Sequence, residues 1–270
     1  MKRKDVLDFD FKIMNNTLAL REELIDGTYS SQPYSSFLIS DPKLRTIHKA
    51  SVRDRVVHQA LYRCLYAVFD KHFIFDSYSC RNRKGTHAGV RRLETFVRRV
   101  SKNHERETWY LKLDVKKFFD SISHTILKRV IRKYVQDERT LWLIENIIDS
   151  FEKTPNKGLP LGNVTSQLFA NVYMNEFDQH IKHILRAKYY IRYADDFIVL
   201  SHDKDWLCEI LPQIRIFLHE QLGLQIHKCK NTHRKVSQGV DFLGYVVLPH
   251  HTVLRTKTKK RVLRRIRHDK

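Results

Sequence analysis

The sequence predicts an α+β fold whose antiparallel sheet carries acidic residues at a hairpin tip, and three observations predict it. The β-rich run Trp109-Tyr110-Leu111-Lys112-Leu113 ends in Asp114. Two further runs, Tyr189 to Tyr193 and Phe197 to Leu200, are separated only by Ala194-Asp195-Asp196, a spacing that makes a hairpin. Segments with helical spacing lie between and after these runs, in the order strand, helices, strand pair, helix, strands.

The elements follow in order. Residues 14–26 (Met14, Leu18, Leu20, Leu24, Ile25) and 55–69 (Val56, Val57, Leu61, Leu65, Val68) have the apolar spacing of helices. After the strand that ends at Asp114 come helices over 124–135 and 138–150. A longer helix runs from Ser166 to Leu185, preceded by the turn-rich Gly158-Leu159-Pro160-Leu161-Gly162. Beyond the hairpin, a helix covers about 205–221, and short strands lie around Val240 to Val247. No Pro/Gly/Ser-rich linker and no internal repeat interrupts the chain; glycine and proline stand singly or in pairs where the apolar pattern changes, as in turns of one folded unit.

Composition narrows the function. With 42% hydrophobic and 30% charged residues over 270 positions, the chain has a globular balance, unlike a disordered or membrane protein. The longest apolar runs, such as Phe197-Ile198-Val199-Leu200, are far too short to span a bilayer, and Met1-Lys2-Arg3-Lys4-Asp5 has no apolar stretch behind it. The expectation is a cytoplasmic protein with no membrane partner. Cys64, Cys80, Cys208 and Cys229 form no Cys-x-x-Cys pair, and His180 and His183 lack a third ligand nearby, so neither set reads as a metal site. The formal charge of +20, with 13 basic against 2 acidic residues in 228–270, calls for a polyanion. Neutralising phosphates releases counterions, so nucleic acid is the natural partner.

The acids supply the chemistry. An Asp-Asp pair in a turn is ordinarily turn chemistry, because aspartate bonds its own backbone. A second acid at a strand end, Asp114, raises its meaning. Phosphoryl transfer from a triphosphate uses two divalent cations about 4 Å apart, clamping the attacking and leaving oxygens. Carboxylates from adjacent strands with a backbone carbonyl make a suitable hard-oxygen cage.

Leu113-Asp114-Val115-Lys116-Lys117-Phe118-Phe119 resembles the first palm motif of reverse transcriptases, and Tyr193-Ala194-Asp195-Asp196 is similar to their Tyr-x-Asp-Asp box. The resemblance implies a right-hand polymerase architecture within one catalytic domain: fingers at about 1–107 and 125–157, and palm at about 108–124 and 158–250. The palm would be an antiparallel sheet with helices on one face, and 251–270 a truncated or rudimentary thumb. It further implies that Asp114 and Asp195 bind two Mg²⁺ ions, or Mn²⁺ in their place, helped by the carbonyl of Val115 and by Asp196. Phe119 matches the steric gate that abuts a ribonucleotide 2′-hydroxyl.

Other blocks resemble the family in the same order. Lys43-Leu44-Arg45 with Arg53 to Leu61, and Ser77 to His87, match the two fingers blocks, which makes Lys43, Arg45 and Arg81 candidates to grip the incoming triphosphate. Leu222 to Lys230 is like the motif whose lysine protonates pyrophosphate; Lys230 aligns best, with Lys228 as the alternative. Phe242-Leu243-Gly244-Tyr245 resembles the primer grip. The block Leu161-Gly162-Asn163-Val164-Thr165-Ser166-Gln167 departs from the common Gln-Gly-x-x-x-Ser-Pro, with Leu161 for the Gln and Gln167 for the Pro. That departure resembles the reverse transcriptases of diversity-generating retroelements, which implies error-prone copying at template adenines. Implied partners are a template RNA, a DNA or RNA primer, deoxynucleotides and a basic accessory protein. The alternatives are another prokaryotic reverse transcriptase, group II intron-like or defence-associated; a catalytically silent nucleic-acid-binding scaffold; and a palm-fold nucleotidyl cyclase.

Overall fold

The computed structural model describes residues 4–40, 44–227 and 232–268. The chain divides into two compact units, one built from 1–73 and 117–176, the other from 74–116 and 177–270.

In the first unit, helices α1 (Lys4–Phe11) and α2 (Ile13–Ile25) precede a hairpin of β1 (Ser35–Ile39) and β2 (Arg45–Lys49). Helix α3 (Val52–Phe69) starts three residues before the sequence pattern predicts, because Ser51 caps it by accepting the Asp54 amide at 3.1 Å. An N-cap hydroxyl satisfies one of the amides that the first helical turn leaves without a partner. Asp54 is itself buried, taking the Tyr29 hydroxyl at 2.9 Å and the Gln32 amide at 3.0 Å, which ties the α2–β1 connection to the helix start. Then come α5 (Phe118–Ser121), α6 (His124–Arg132), α7 (Glu138–Asp149) and α8 (Val164–Gln179). Helices α6 and α7 match the predicted pair. They bury Leu127, Val130 and Ile131, and Leu141, Ile144, Ile147 and Ile148, at the spacing that puts one stripe inward. The predicted helix from 166 to 185 is α8 followed by a π-helical turn, His180–Ile184.

The second unit holds a four-stranded antiparallel sheet in the order β4-β5-β3-β6, made of β3 (Trp109–Asp114), β4 (Tyr189–Tyr193), β5 (Asp196–Ser201) and β6 (Thr232–Lys235). A smaller antiparallel sheet joins β7 (Val240–Phe242), β8 (Tyr245–Val247) and β9 (Thr252–Leu254). Helix α4 (Thr86–Val100) packs Val90, Leu93, Phe96, Val97 and Val100 onto Tyr110, Ile191, Ile198 and Leu200 of one sheet face, with Val240, Phe242 and Val247 completing that core. The opposite face presents Leu111, Leu113, Phe197 and Val199, all fully buried, and α9 (Lys204–Leu222) lies against β3 and β5. Helices thus pack on both faces, and the sequence reading accounted for one of them. Asp203 caps α9 by accepting the Trp206 amide, and Gly223 ends it at φ +60°, a left-handed backbone that glycine adopts without a Cβ clash. The chain closes with α10 (Thr256–His268), which carries seven Lys and Arg residues and no acid. No helix among the described residues is long and apolar enough to cross a membrane.

Candidate active site

Antiparallel register assembles the acids. Asp114, the last residue of β3, lies directly opposite Asp196, the first of β5. Tyr193 pairs with Asp196 across the β4–β5 hairpin, leaving Ala194 and Asp195 as a two-residue turn. Ala194 takes a left-handed φ of +54°, as tight hairpin turns require. The Val115 amide donates to the Asp195 carbonyl at 3.3 Å, so the strand-end acid and the turn acid are joined through the backbone. On the far side of β3, the His227 amide donates to the Asp114 carbonyl at 3.1 Å, and the Lys116 amide donates to that of Gln225 at 2.7 Å.

Side chains alternate along a strand, so Lys112 shares a face with Asp114. Its ammonium lies 3.2 Å from Asp196 Oδ2 and donates to the Asp241 carbonyl at 2.6 Å, linking the acid cluster to the smaller sheet. Burial pushes the Asp196 carboxyl up to about 6; Lys112 works against that rise, while the neighbouring Asp114 and Asp195 carboxylates add to it. Asp196 Oδ1 is buried without a hydrogen-bond partner among the described residues.

Those features fit a divalent cation. Neighbouring carboxylates with one buried, unmatched oxygen are the donor set that a hard cation satisfies, and cation charge would offset both the burial of the Asp196 charge and the added repulsion from Asp114 and Asp195. Among the described residues, three acidic or imidazole side chains do not already converge as a closed cage.

A buried ion pair supports the turn from beneath. Arg192 and Asp178 are both fully buried; Arg192 Nε donates to Asp178 Oδ1 at 2.7 Å and Nη2 to Oδ2 at 2.6 Å. The Tyr190 hydroxyl adds a third bond to Oδ1 at 2.7 Å. Burial, then the Asp178 charge, raises the Tyr190 hydroxyl well above its ordinary range, so it stays a donor. The sequence reading gave roles to none of Lys112, Asp178 or Arg192. The available signals were a lysine two residues before a strand-end acid and an arginine inside an otherwise apolar β-run.

The remaining predicted residues fall in several places. Phe242 is fully buried at the end of β7, and Leu243 and Gly244 form the β7–β8 turn with φ of +53° and +86°. The Gly244 carbonyl accepts the Arg255 amide at 2.9 Å. Arg81 is half-buried, its Nη1 donating to the carbonyls of Ile74 at 2.7 Å and Ser77 at 3.1 Å, so it staples its own loop. In the first unit, Phe119 packs edge-on against Phe118, and its carbonyl accepts the Leu159 amide. Leu161 is half-buried and accepts the His48 amide at 2.9 Å; Gly162 approaches β2 so closely that a Cβ there would lie 2.7 Å from Ile47 Cγ2. Arg45 and Gln167 are exposed. Lys43, Lys228 and Lys230 lie outside the described residues.

Comparison with known proteins bears on the family and the fold. The family model for Reverse transcriptase (RNA-dependent DNA polymerase) matches residues 39–247. The chain is 26% identical to protein YkfC of Escherichia coli K12, over 84% of this chain and 69% of that protein. It is 24% identical to the group II intron-encoded protein LtrA of Lactococcus lactis, over 90% of this chain, and spans about half of LtrA's length. The fold resembles that of telomerase from Candida tropicalis truncated from its C-terminal domain, with a TM-score of 0.61 at 14% identity over 89% of this chain and 60% of that one. With most of its length matched and the paired acids at adjoining strand ends, the chain belongs to the reverse transcriptase family.

Proposed function

We propose that this chain is an RNA-directed DNA polymerase that extends a DNA or RNA primer along a template RNA with deoxynucleotides. The observation that carries this reading is the register pairing of Asp114 with Asp196, with Asp195 at the adjoining turn. Asp114, Asp195 and Asp196, with the Val115 carbonyl, would hold Mg²⁺ or Mn²⁺. Such cations supply a lowered pKa for the primer 3′-hydroxyl and charge neutralisation on the transferring phosphate. Attack on the α-phosphate expels pyrophosphate, and Lys230 is the residue assigned to protonate it. Arg45, Lys43 and Arg81 are assigned to the triphosphate, Phe119 to the sugar, and Phe242-Leu243-Gly244 to the primer end. In this reading the first unit contributes mainly fingers, the large sheet is the palm, and α10 is a rudimentary thumb. Asp195→Asn tests it: the variant keeps its circular dichroism spectrum and thermal midpoint but loses metal-dependent primer extension, and robust extension by it would end the assignment.

A finer reading rests on the block from Leu161 to Gln167, in which Leu161 and Gln167 support a place among error-prone enzymes of diversity-generating retroelements. An apolar side chain where an amide would hold the template base removes a polar constraint, and fidelity is only a difference in transition-state binding. The test is Leu161→Gln followed by cDNA sequencing. Fewer errors at template adenines are expected, and an unchanged error spectrum removes Leu161 as the cause. In this reading a basic accessory protein adds grip on the duplex. The likeness to LtrA supports the neighbouring alternative of a group II intron-like enzyme, for which wild-type cDNA would show no bias toward adenine errors.

A further inference from the structure

We propose that Arg192 is a positioning residue that couples the loop bearing Arg81 to the turn bearing Asp195; this rests on the polymerase reading above. Three hydrogen-bonding directions of one planar guanidinium are in use. Asp178 fixes the group through Nε and Nη2, Ser77 Oγ accepts from Nη2 at 3.1 Å, and the Ala194 carbonyl accepts from Nη1 at 3.0 Å. The Ala194 carbonyl belongs to the same peptide plane as the Asp195 amide, so holding that oxygen fixes the plane from which Asp195 departs. Ala194 needs the hold, because an L residue at φ +54° pays a steric penalty unless its surroundings impose it.

The other end of the coupling is the 74–85 segment. The Arg192 amide donates to the Asp76 carbonyl at 3.0 Å, and the Tyr78 amide donates to the Arg192 carbonyl at 2.9 Å, so backbone and side chain of one residue grip both sides of Ser77. Ser77 is fully buried, and its carbonyl in turn accepts from Arg81. Arg192 therefore touches the loop assigned to the triphosphate and the turn assigned to the cations, through a fork that Asp178 cannot let rotate. A lysine keeps the charge, but its three donors radiate from one nitrogen and cannot reproduce the planar fork that spans Asp178, Ser77 and Ala194.

The experiment uses the whole chain with Arg192→Lys and Ser77→Ala, alongside Asp195→Asn. Arg192→Lys is expected to weaken Mn²⁺ binding at least fivefold, read from the free-ion electron paramagnetic resonance signal, and to lower kcat at saturating deoxynucleotide at least tenfold. Ser77→Ala is expected to raise the deoxynucleotide KM at least threefold with Mn²⁺ affinity within twofold of wild type. A folded Arg192→Lys protein with wild-type Mn²⁺ affinity overturns the proposal; if that variant does not fold, an unchanged KM in Ser77→Ala does so. The Mn²⁺ readout needs no turnover, and extension by Asp195→Asn would sink the polymerase assignment alone, so the two failures are distinguishable.

Discussion

Replacing Asp178 by Asn should unfold this protein far more readily than its small chemical change suggests. The carboxylate takes two bonds from Arg192, at 2.7 and 2.6 Å, and one from Tyr190 at 2.7 Å, with both ion-pair partners wholly inaccessible to solvent. Asn matches the shape but leaves a guanidinium charge buried and uncompensated. Breaking one side of such a pair costs about 3–5 kcal/mol. For a domain of this size, each kcal/mol moves the midpoint by roughly 2–4 °C, so a fall on the order of 10 °C is expected. Thermal and urea unfolding followed by circular dichroism measure it. The double variant Asp178→Leu with Arg192→Met should recover most of the loss, since a packed apolar pair often equals a buried ion pair. It should not recover polymerase activity, because nothing then holds the Ala194 carbonyl. An Asp178→Asn protein within about 1 kcal/mol of wild type would refute the reasoning, since such a value belongs to solvent-exposed pairs.

Three further outcomes follow from particular residues. Burial lowers the His58 imidazole to about 4, with Asp54 pulling the other way. Between that value and the ordinary one near 6.5 the unfolded chain binds the extra proton, so stability falls as pH drops from about 6.5 towards 4, by at most about 3 kcal/mol. Urea midpoints measured across that range should show the slope, and His58→Met should flatten it. Gly162→Ala forces a Cβ onto Ile47 at a backbone φ of +112° and should cost about 1–3 kcal/mol; an unchanged urea midpoint would mean the 158–162 turn does not sit against β2. Template-primer affinity, read by fluorescence anisotropy, should fall about 10³-fold or more between 50 and 200 mM salt if six or more phosphates are contacted. A flat salt response would show that the +20 charge is not a nucleic-acid surface.

Much of the fold was legible because amphipathic period and turn chemistry are local. The apolar stripes of α6, α7 and α9 and the short acidic break between two β-runs announce themselves within a dozen residues, although the break reads as Ala194-Asp195-Asp196 and the structure places Asp196 in β5. Helix α4 went unread although Val90, Leu93, Val97 and Val100 recur at helical spacing, because its many arginines mask the stripe and its start lies inside a motif read for function. The β1–β2 hairpin went unread because its strands are exposed or half-buried and show no clean alternation. Strand β6 could not be seen at all, since its pairing with β3 joins residues more than a hundred positions apart.

The sequence by itself determined the charge, the identity of the acids, and the strand end and hairpin that carry Asp114 and Asp195, because strand ends and tight turns are set by neighbouring residues; Asp196, expected in the turn, is the first residue of β5. Only the tertiary structure decided that Asp114 faces Asp196, that Lys112 lies between that pair and the smaller sheet, and that Arg192 braces the turn from beneath. Those are matters of register and burial. Sliding a strand by one residue sends every side chain to the opposite face, and no local pattern reports which distant strand will be its partner.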